Sequence, residues 1–182
     1  MHAEDREWQR QGIEAEQGAG LPHVRTTRYL AIDPGNVDSA YVVVDGDRRR
    51  PLEFGKLPNQ ELLDHLADLE IDRAVIEMVA SYGMAVGAEV FDTCVWIGRY
   101  QLRLEDFSVP TQLVKRLPVK IHLCHNAAAK DSNIRQALVD RFAPGVSNYG
   151  KGTKDAPGWF YRFSADVWAA YALGVYAADN EL

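Results

Sequence analysis

Three acidic residues stand where a folded chain could bring their carboxylates together. Asp33 ends the apolar run 29–32, Glu77 ends the apolar run 74–76, and Asp166 opens an alanine-rich apolar segment. Three carboxylates in one place raise one another's pKa values unless cations neutralise them. Oxygen ligands without clustered thiolates favour Mg²⁺, for which Mn²⁺ can substitute, over Zn²⁺. The pattern therefore predicts two-metal hydrolysis of a phosphodiester, in which the two ions lie about 4 Å apart.

Each acid also has a structural interpretation that involves no metal. Asp33 could cap the turn that Pro34 and Gly35 form. Glu77 could pair with a surface arginine, and Asp166 could interact with a helix dipole, which is worth about 0.3–1 kcal/mol. The order of the elements around the three acids favours the metal site over these separate explanations.

Hydrophobic periodicity predicts the elements that position the acids. Turn residues separate three short strands, which we expect to form an antiparallel meander. The later strands are joined through helices, and such crossovers favour parallel pairing. The predicted strands span 29–32, 41–44, 51–56, 71–78 and 118–123, and the predicted helices span 60–69, 85–105, 127–142 and 165–178. We therefore expect an α/β domain whose mixed sheet is flanked by helices.

Composition limits the class of protein. The chain has 182 residues, of which 47% are hydrophobic, and this suffices for one domain with its own core. We assign residues 27–182 to this domain and residues 1–26 to a flexible polar extension. No apolar run approaches about 18 residues, so we expect no membrane-spanning segment. The charged N-terminus and the two distant cysteines, Cys94 and Cys124, favour a cytoplasmic location.

Charge is unevenly distributed along the chain. The net charge is −6, yet residues 115–162 contain nine Lys or Arg and three Asp. A basic face on an acidic body favours a nucleic-acid partner. Within this region, Lys151 and Lys154 lie in a glycine-rich loop, which we expect to contact phosphates. The loop lacks the spacing of a P-loop, so nucleotide binding is not favoured.

The motifs around the three acids resemble those of the RuvC branch of the RNase H-like nucleases, which are Holliday junction resolvases. The matching segments are Ile32-Asp33-Pro34-Gly35, Ile76-Glu77-Met78 and Ala165-Asp166, and the match is nearest to phage-encoded members. The resemblance covers about residues 28–178. It implies an RNase H-like fold and a crossover junction endodeoxyribonuclease. Such an enzyme would cut branched DNA with Mg²⁺ as a homodimer.

The resemblance also implies roles for individual residues. The implied catalytic metal ligands are Asp33, Glu77 and Asp166. Lys120, on the strand 118–123, and Lys130, at the start of the penultimate helix, would contact DNA near the cleaved phosphate. Tyr82 stands in a loop where these proteins carry an aromatic residue that wedges into the junction, although a packed tyrosine fits the sequence equally well. No cofactor besides the metal is implied.

Phe163 departs from the RuvC pattern, because these proteins usually have a metal-binding Asp or His three residues before the last Asp. Three carboxylates could suffice, or Asp131 or Asp155 could complete the site. A third alternative is a protein that binds branched DNA without cutting it well. A further alternative is an RNase H-like nuclease that acts on RNA or on RNA–DNA hybrids.

Overall fold

The computed structural model describes residues 25–80 and 87–182. Within these ranges the strands are β1 (Arg28–Asp33), β2 (Asp38–Asp45), β3 (Pro51–Pro58), β4 (Arg73–Met78) and β5 (Thr111–Lys115). The helices are α1 (Asn59–His65), α2 (Ala88–Asp106), α3 (Arg116–Cys124), α4 (Asp131–Phe142) and α5 (Ala165–Asp179), and a short 3₁₀ helix (Leu66–Asp68) follows α1. The loop that contains Tyr82, and most of the segment 1–26, lie outside the described residues.

The five strands form one mixed sheet in the order β3-β2-β1-β4-β5. β1, β2 and β3 pair as an antiparallel meander, whereas β1, β4 and β5 pair in parallel. The predicted α/β architecture is therefore confirmed, with β1 at the centre. Because parallel strands end at the same edge of a sheet, this order brings the carboxyl ends of β1, β4 and β5 together.

Helices cover both faces of the sheet and bury its apolar side chains. On one face, α5 packs against Ala31, Val42 and Val44, together with residues of α3 and α4. On the other face, α1 and α2 pack against alternate residues of the same strands, including Leu30 and Ile32. The period-2 alternation of strand side chains thus sends odd-numbered residues of β1 toward α5. Asp33 belongs to this odd-numbered set.

The last helix is apolar nearly all round, as its sequence predicts, and it crosses the sheet closely. A Cβ atom at Gly174 would lie 2.8 Å from Cγ2 of Val44. Only a glycine therefore allows α5 to approach β2 at this point. No helix among the described residues is both long and apolar enough to cross a membrane.

The strand predicted at 118–123 is wrong, because these residues belong to helix α3. The alternation of Val119, Ile121 and Leu123 suggests a strand, but only Val119 is fully buried, and Ile121 is exposed. Pro118 lies in the first turn of α3, where its missing N–H breaks no helical hydrogen bond. The last strand of the sheet is β5, which precedes α3 and ends at Lys115.

The placement of the polar side chains of this segment changes with the change from strand to helix. Lys120 lies on a helix rather than on a strand. His122, on the same helix, lies with its Nε2 2.8 Å from Oδ2 of Asp179, and its ring packs edge-on against Tyr176. The helix predicted at 127–142 begins later, at Asp131, and the backbone N–H of Lys130 donates to Oδ1 of Asn133 at 2.9 Å.

Candidate active site

The structure brings the three acids to one edge of the sheet. Ile32 of β1 pairs in parallel register with Ile76 of β4. The next residues are Asp33, the last residue of β1, and Glu77, the last residue but one of β4, and both lie on the face that α5 covers. Asp166 lies in the first turn of α5, close enough for its charge to act on Asp33. The sheet and the last helix thus assemble side chains that are up to 133 positions apart in the sequence.

The fold strongly shifts the pKa of the Asp33 carboxyl group. Burial is the main cause that raises its pKa to about 7, and the charges of Glu77 and Asp166 raise the pKa further, against the opposing charge of Arg116. Among the described residues, none donates a hydrogen bond to its carboxylate. Asp33 is therefore a half-buried carboxyl group whose negative charge, once it is ionised, the surrounding side chains only partly compensate.

Glu77 is held by an arginine that the sequence analysis does not identify. Arg116 donates from Nη1 to Oε2 of Glu77 at 2.8 Å and from Nη2 to Oδ1 of Asp131 at 2.8 Å. Burial raises the pKa of Glu77, although Arg116 acts in the opposite direction. The guanidinium thereby brings Asp131 to the site. Asp155, the other acid that the sequence offers, is exposed in the loop before α5, and it is not among the charged groups named as acting on Asp33 or Glu77.

Asp166 is paired with a lysine on the opposite wall of the site. Nζ of Lys56, on β3, lies 2.8 Å from Oδ2 of Asp166. Both side chains are nearly half exposed, at 44% and 48%. As placed, no three His, Cys, Asp or Glu side chains of the described ranges are close enough to hold a metal ion. Two of the three carboxylates bind cationic side chains instead.

Asp33, Asp166 and Lys56 line an open cleft of about 240 Å³, which we call the acidic cleft. It is lined by Asp33, Pro34, Gly35, Asn36, Val37, Asp38, Ala40, Lys56 and Asp166. The available donors are carboxylate oxygens, with no thiolate or imidazole among the lining residues. This donor set fits a hard divalent cation such as Mg²⁺ or Mn²⁺.

A buried polar network fixes the turn after Asp33. Nδ2 of Asn59 donates to the carbonyl oxygen of Gly35 at 2.9 Å, and Oγ of Ser39 accepts the N–H of Gly35 at 3.2 Å. Ser39 donates in turn to Oδ1 of Asn59 at 2.6 Å, and the hydroxyl of Tyr100 lies 3.1 Å from that oxygen. Burial, as the largest cause, raises the pKa of Tyr100 to about 12. The network ties the turn to α1 and α2.

The turn also needs its glycine. A Cβ atom at Gly35 would lie 2.3 Å from the carbonyl oxygen of Asp38. The Pro34-Gly35 pair, which predicts the turn from sequence, is therefore required by the close approach of two backbone segments. Ser39, Asn59 and Tyr100 are missed by sequence reasoning, because nothing in their spacing shows that they meet.

The basic residues near the acids lie on three elements. Lys130 precedes α4 and is exposed beside Asp131. Lys120, on α3, is close enough to lower the pKa of Glu77. Lys115 pairs with Met78 at the carboxyl end of β5. It was missed because the last strand was predicted at 118–123 instead. These three lysines lie around the end of β4 that carries Glu77.

The lysines of the glycine-rich loop differ from each other. Lys151 is half-buried, and its Nζ donates to the carbonyl oxygen of Phe163 at 2.7 Å. Lys154 is exposed in a tight turn. This turn is closed by hydrogen bonding between Thr153 and Ala156 and by a β-bridge between Gly152 and Pro157. Of these two lysines, Lys154 is the one whose ammonium group has no described hydrogen-bond partner. Tyr82 lies outside the described residues.

Phe163 is part of the hydrophobic core. It is 2% exposed, and its ring packs against four aromatic neighbours, Phe54, Phe160, Trp168 and Tyr171, at centroid distances of 4.7–5.4 Å. The backbone before α5 is therefore anchored by an apolar side chain. This position supplies no ligand to the acidic cleft.

Comparison with solved structures identifies similar folds. A structure of RuvC from Thermus thermophilus aligns with a TM-score of 0.61 at 16% identity, over 85% of this chain and 97% of that one. A structure of the T. thermophilus RuvC in complex with a Holliday junction substrate aligns with a TM-score of 0.57 at 16% identity, over 84% and 92% of the two chains. No family model matches the chain. No curated protein matches it either. The chain therefore has a RuvC-like α/β fold.

Proposed function

We propose that this protein is a divalent-metal-dependent endonuclease that cuts four-way or otherwise branched DNA. The observation that carries the proposal is the carboxylate of Asp33, only partly compensated at the open end of the central strand, beside Glu77 and Asp166. The RuvC-like fold supports the same conclusion, since one structure of this fold contains a Holliday junction substrate. The nearer likeness to phage-encoded members stays a prediction of the sequence.

Asp33, Glu77 and Asp166 would hold the metal. A divalent cation bound there supplies a Lewis acid that lowers the pKa of water and neutralises charge on the phosphate. Asp33 would release its proton when the site is loaded, because a carboxyl group with a pKa of about 7 is only partly ionised at neutral pH. The network of Ser39, Asn59 and Tyr100 holds Asp33 in place through the turn that follows it.

The lysines around the site would bind the DNA backbone. Lys120 and Lys130 are close to Glu77 and Asp131, so they would contact phosphates next to the cut. Lys115 would act with them at the end of β5. Lys154 would reach a phosphate farther away, whereas Lys151 would first have to share its ammonium with the carbonyl of Phe163. Tyr82 stays a prediction for the junction centre.

A homodimer would place two such sites on one junction, since two symmetric cuts are needed. An apolar stripe on the outer side of α2 supports this proposal. Phe91, Val95 and Leu102 are 62%, 60% and 60% exposed and recur at helical spacing, opposite the buried stripe of the same helix. Trp96 of the same helix does not belong to this stripe and is half-buried under the guanidinium of Arg99 at 4.0 Å.

One observation favours a protein that binds junctions without cutting them. Lys56 and Arg116 occupy carboxylates that a nuclease would use for metal. In that case the acidic residues would serve only to hold the two cations in place. Cleavage assays separate this alternative from the nuclease.

The test is a cleavage assay on a synthetic four-way junction, with Mg²⁺, with Mn²⁺ and with EDTA. We expect cutting with either metal and none with EDTA. Asp33→Asn should lose cutting by at least about a hundredfold while it retains junction binding, because the fold does not depend on this charge. The exposed Asp155→Asn serves as the matched control and should cut normally.

Three results would contradict the proposal. Normal cutting by Asp33→Asn would remove the assigned site. Preferential cutting of an RNA–DNA hybrid duplex, measured in parallel, would favour the nuclease that acts on hybrids. Junction binding without cutting under any metal condition would favour the non-catalytic binder.

A further inference from the structure

Lys56 occupies a place in the acidic cleft that its sequence does not suggest. Asp33 pairs with Ala40 across β1 and β2, and Ala40 pairs with Lys56 across β2 and β3. Paired residues project to the same face of a sheet, so Asp33 and Lys56 stand in one row, two strand spacings or about 10 Å apart. The small side chain of Ala40 lies between them and leaves the cleft open.

The ammonium of Lys56 is directed at the carboxylates. Its Nζ lies 2.8 Å from Oδ2 of Asp166, and the charges of Asp38 and Asp33 act on it as well. Lys56 is exposed, so packing of the core does not require a lysine here. The described contacts of this side chain are those of a cation bound to the acidic cleft.

Other side chains restrict the ligands that the neighbourhood of Asp166 and Glu77 can offer to metal ions. Phe163, three residues earlier, is buried among aromatic rings, and Arg116 already binds Oε2 of Glu77. Two metal ions need a bridging carboxylate and additional ligands for each ion. With Lys56 and Arg116 in place, the carboxylate oxygens without a described partner are both oxygens of Asp33 and one each from Glu77, Asp166 and Asp131.

We propose that the ammonium of Lys56 takes the place of one of the two metal ions, so that the site binds a single divalent cation. This inference rests on the proposed function. The single ion would lie between Asp33 and its acidic neighbours and complete its shell with water, as Mg²⁺ commonly does. Lys56 would supply fixed positive charge on the Asp166 side, where it would face a phosphate oxygen of the substrate.

The experiment is a titration of the full chain with Mn²⁺, followed by electron paramagnetic resonance. The amplitude of the signal of free Mn²⁺ gives the number of ions bound per chain. Two bound ions a few ångströms apart give a spin-coupled spectrum, which a single bound ion does not give. The wild-type protein should bind one Mn²⁺ per chain without spin coupling. Lys56→Met, which keeps the length of the side chain and removes its charge, should bind a second Mn²⁺ with spin coupling.

Two further variants serve as controls. Lys56→Arg retains the charge and should bind one ion. Lys154→Met removes an exposed lysine remote from the cleft and should also bind one. Because Lys56 is nearly half exposed, we expect Lys56→Met to fold, which its circular dichroism and melting temperature verify.

The inference is overturned if the wild-type protein binds a coupled pair, or if Lys56→Met binds the same number of ions as the wild type. Neither readout depends on cleavage. Failure of the wild-type protein to cut any junction would refute the proposed function while the stoichiometry still decides the role of Lys56. A cutting enzyme with two ions would retain the function and reject the inference.

Discussion

Replacing Asp33 by asparagine should stabilise the folded protein at neutral and alkaline pH, although it removes a candidate metal ligand. In the fold, burial is the main reason that the ionised carboxylate is unfavourable, and nearby Glu77 adds repulsion. Asparagine has nearly the same shape and no charge. The substitution therefore removes an electrostatic cost that the wild-type protein bears in the absence of metal.

The sign and the size follow from the two states of the carboxyl group. Its pKa has the ordinary value of 3.8 in the unfolded chain and is about 7 in the folded protein. Since the folded pKa is the higher one, the contribution of this group to stability is complete below pH 3.8 and is lost as the pH rises through 7. A shift of about 3 units corresponds to an upper limit of about 4 kcal/mol at pH 8, and water in the open cleft lowers the expectation to about 2–4 kcal/mol.

Urea denaturation of the wild type and Asp33→Asn, from pH 4 to pH 9 with EDTA, measures the difference. We expect the two free energies of unfolding to be nearly equal at pH 4 and to diverge as the pH rises, with the variant more stable at pH 8. Asp155→Asn, which alters an exposed acid, should follow the wild type at every pH. A variant that is less stable than the wild type at pH 8, or a difference that does not change with pH, would refute the reasoning.

Addition of Mg²⁺ at pH 8 extends the same experiment. A cation that binds the folded protein stabilises it by mass action. The wild type should gain stability as the Mg²⁺ concentration rises, and Asp33→Asn should gain much less. An equal gain in both proteins would place the bound ion away from Asp33.

Three other predictions concern the DNA contacts, the polar network and the dimer. Lys120→Ala and Lys130→Ala should each weaken junction binding and reduce the magnitude of the slope of log affinity against log salt by about one. Binding titrations at several salt concentrations measure this slope, and an unchanged slope in both variants would place both lysines away from DNA. Tyr100→Phe should destabilise the fold by about 1 kcal/mol in urea denaturation, because the turn after Asp33 loses a hydrogen-bonded support. For the same reason it should weaken Mg²⁺ binding measured by calorimetry, and a normal Mg²⁺ affinity would show that Tyr100 contributes to folding stability alone. Leu102→Glu should shift a dimer to monomers in light scattering, and an unchanged mass would exclude this face of α2 as the interface.

Local sequence signals predicted the acids and much of the framework around them. Pro34 and Gly35 mark the turn at which β1 ends, and apolar alternation marks the strands on either side of it. These signals act between residues that are close in sequence, so turn and strand propensities suffice to detect them. The same reasoning failed at 118–123, because a short apolar alternation fits a strand and a half-buried helix equally well.

The sequence by itself determined that Asp33 ends an apolar strand, that Asp166 opens an apolar helix, and that the domain is α/β. Only the tertiary structure decided what surrounds the acids. Lys56 reaches Asp166 from 110 positions away, and Arg116 joins Glu77 to Asp131, which lies on another element. Sheet register and helix packing create these pairs, and neither leaves a local pattern in the sequence. The charge of the acidic cleft is therefore a property of the fold, since residues that are far apart in the chain compensate one another only after the strands have paired.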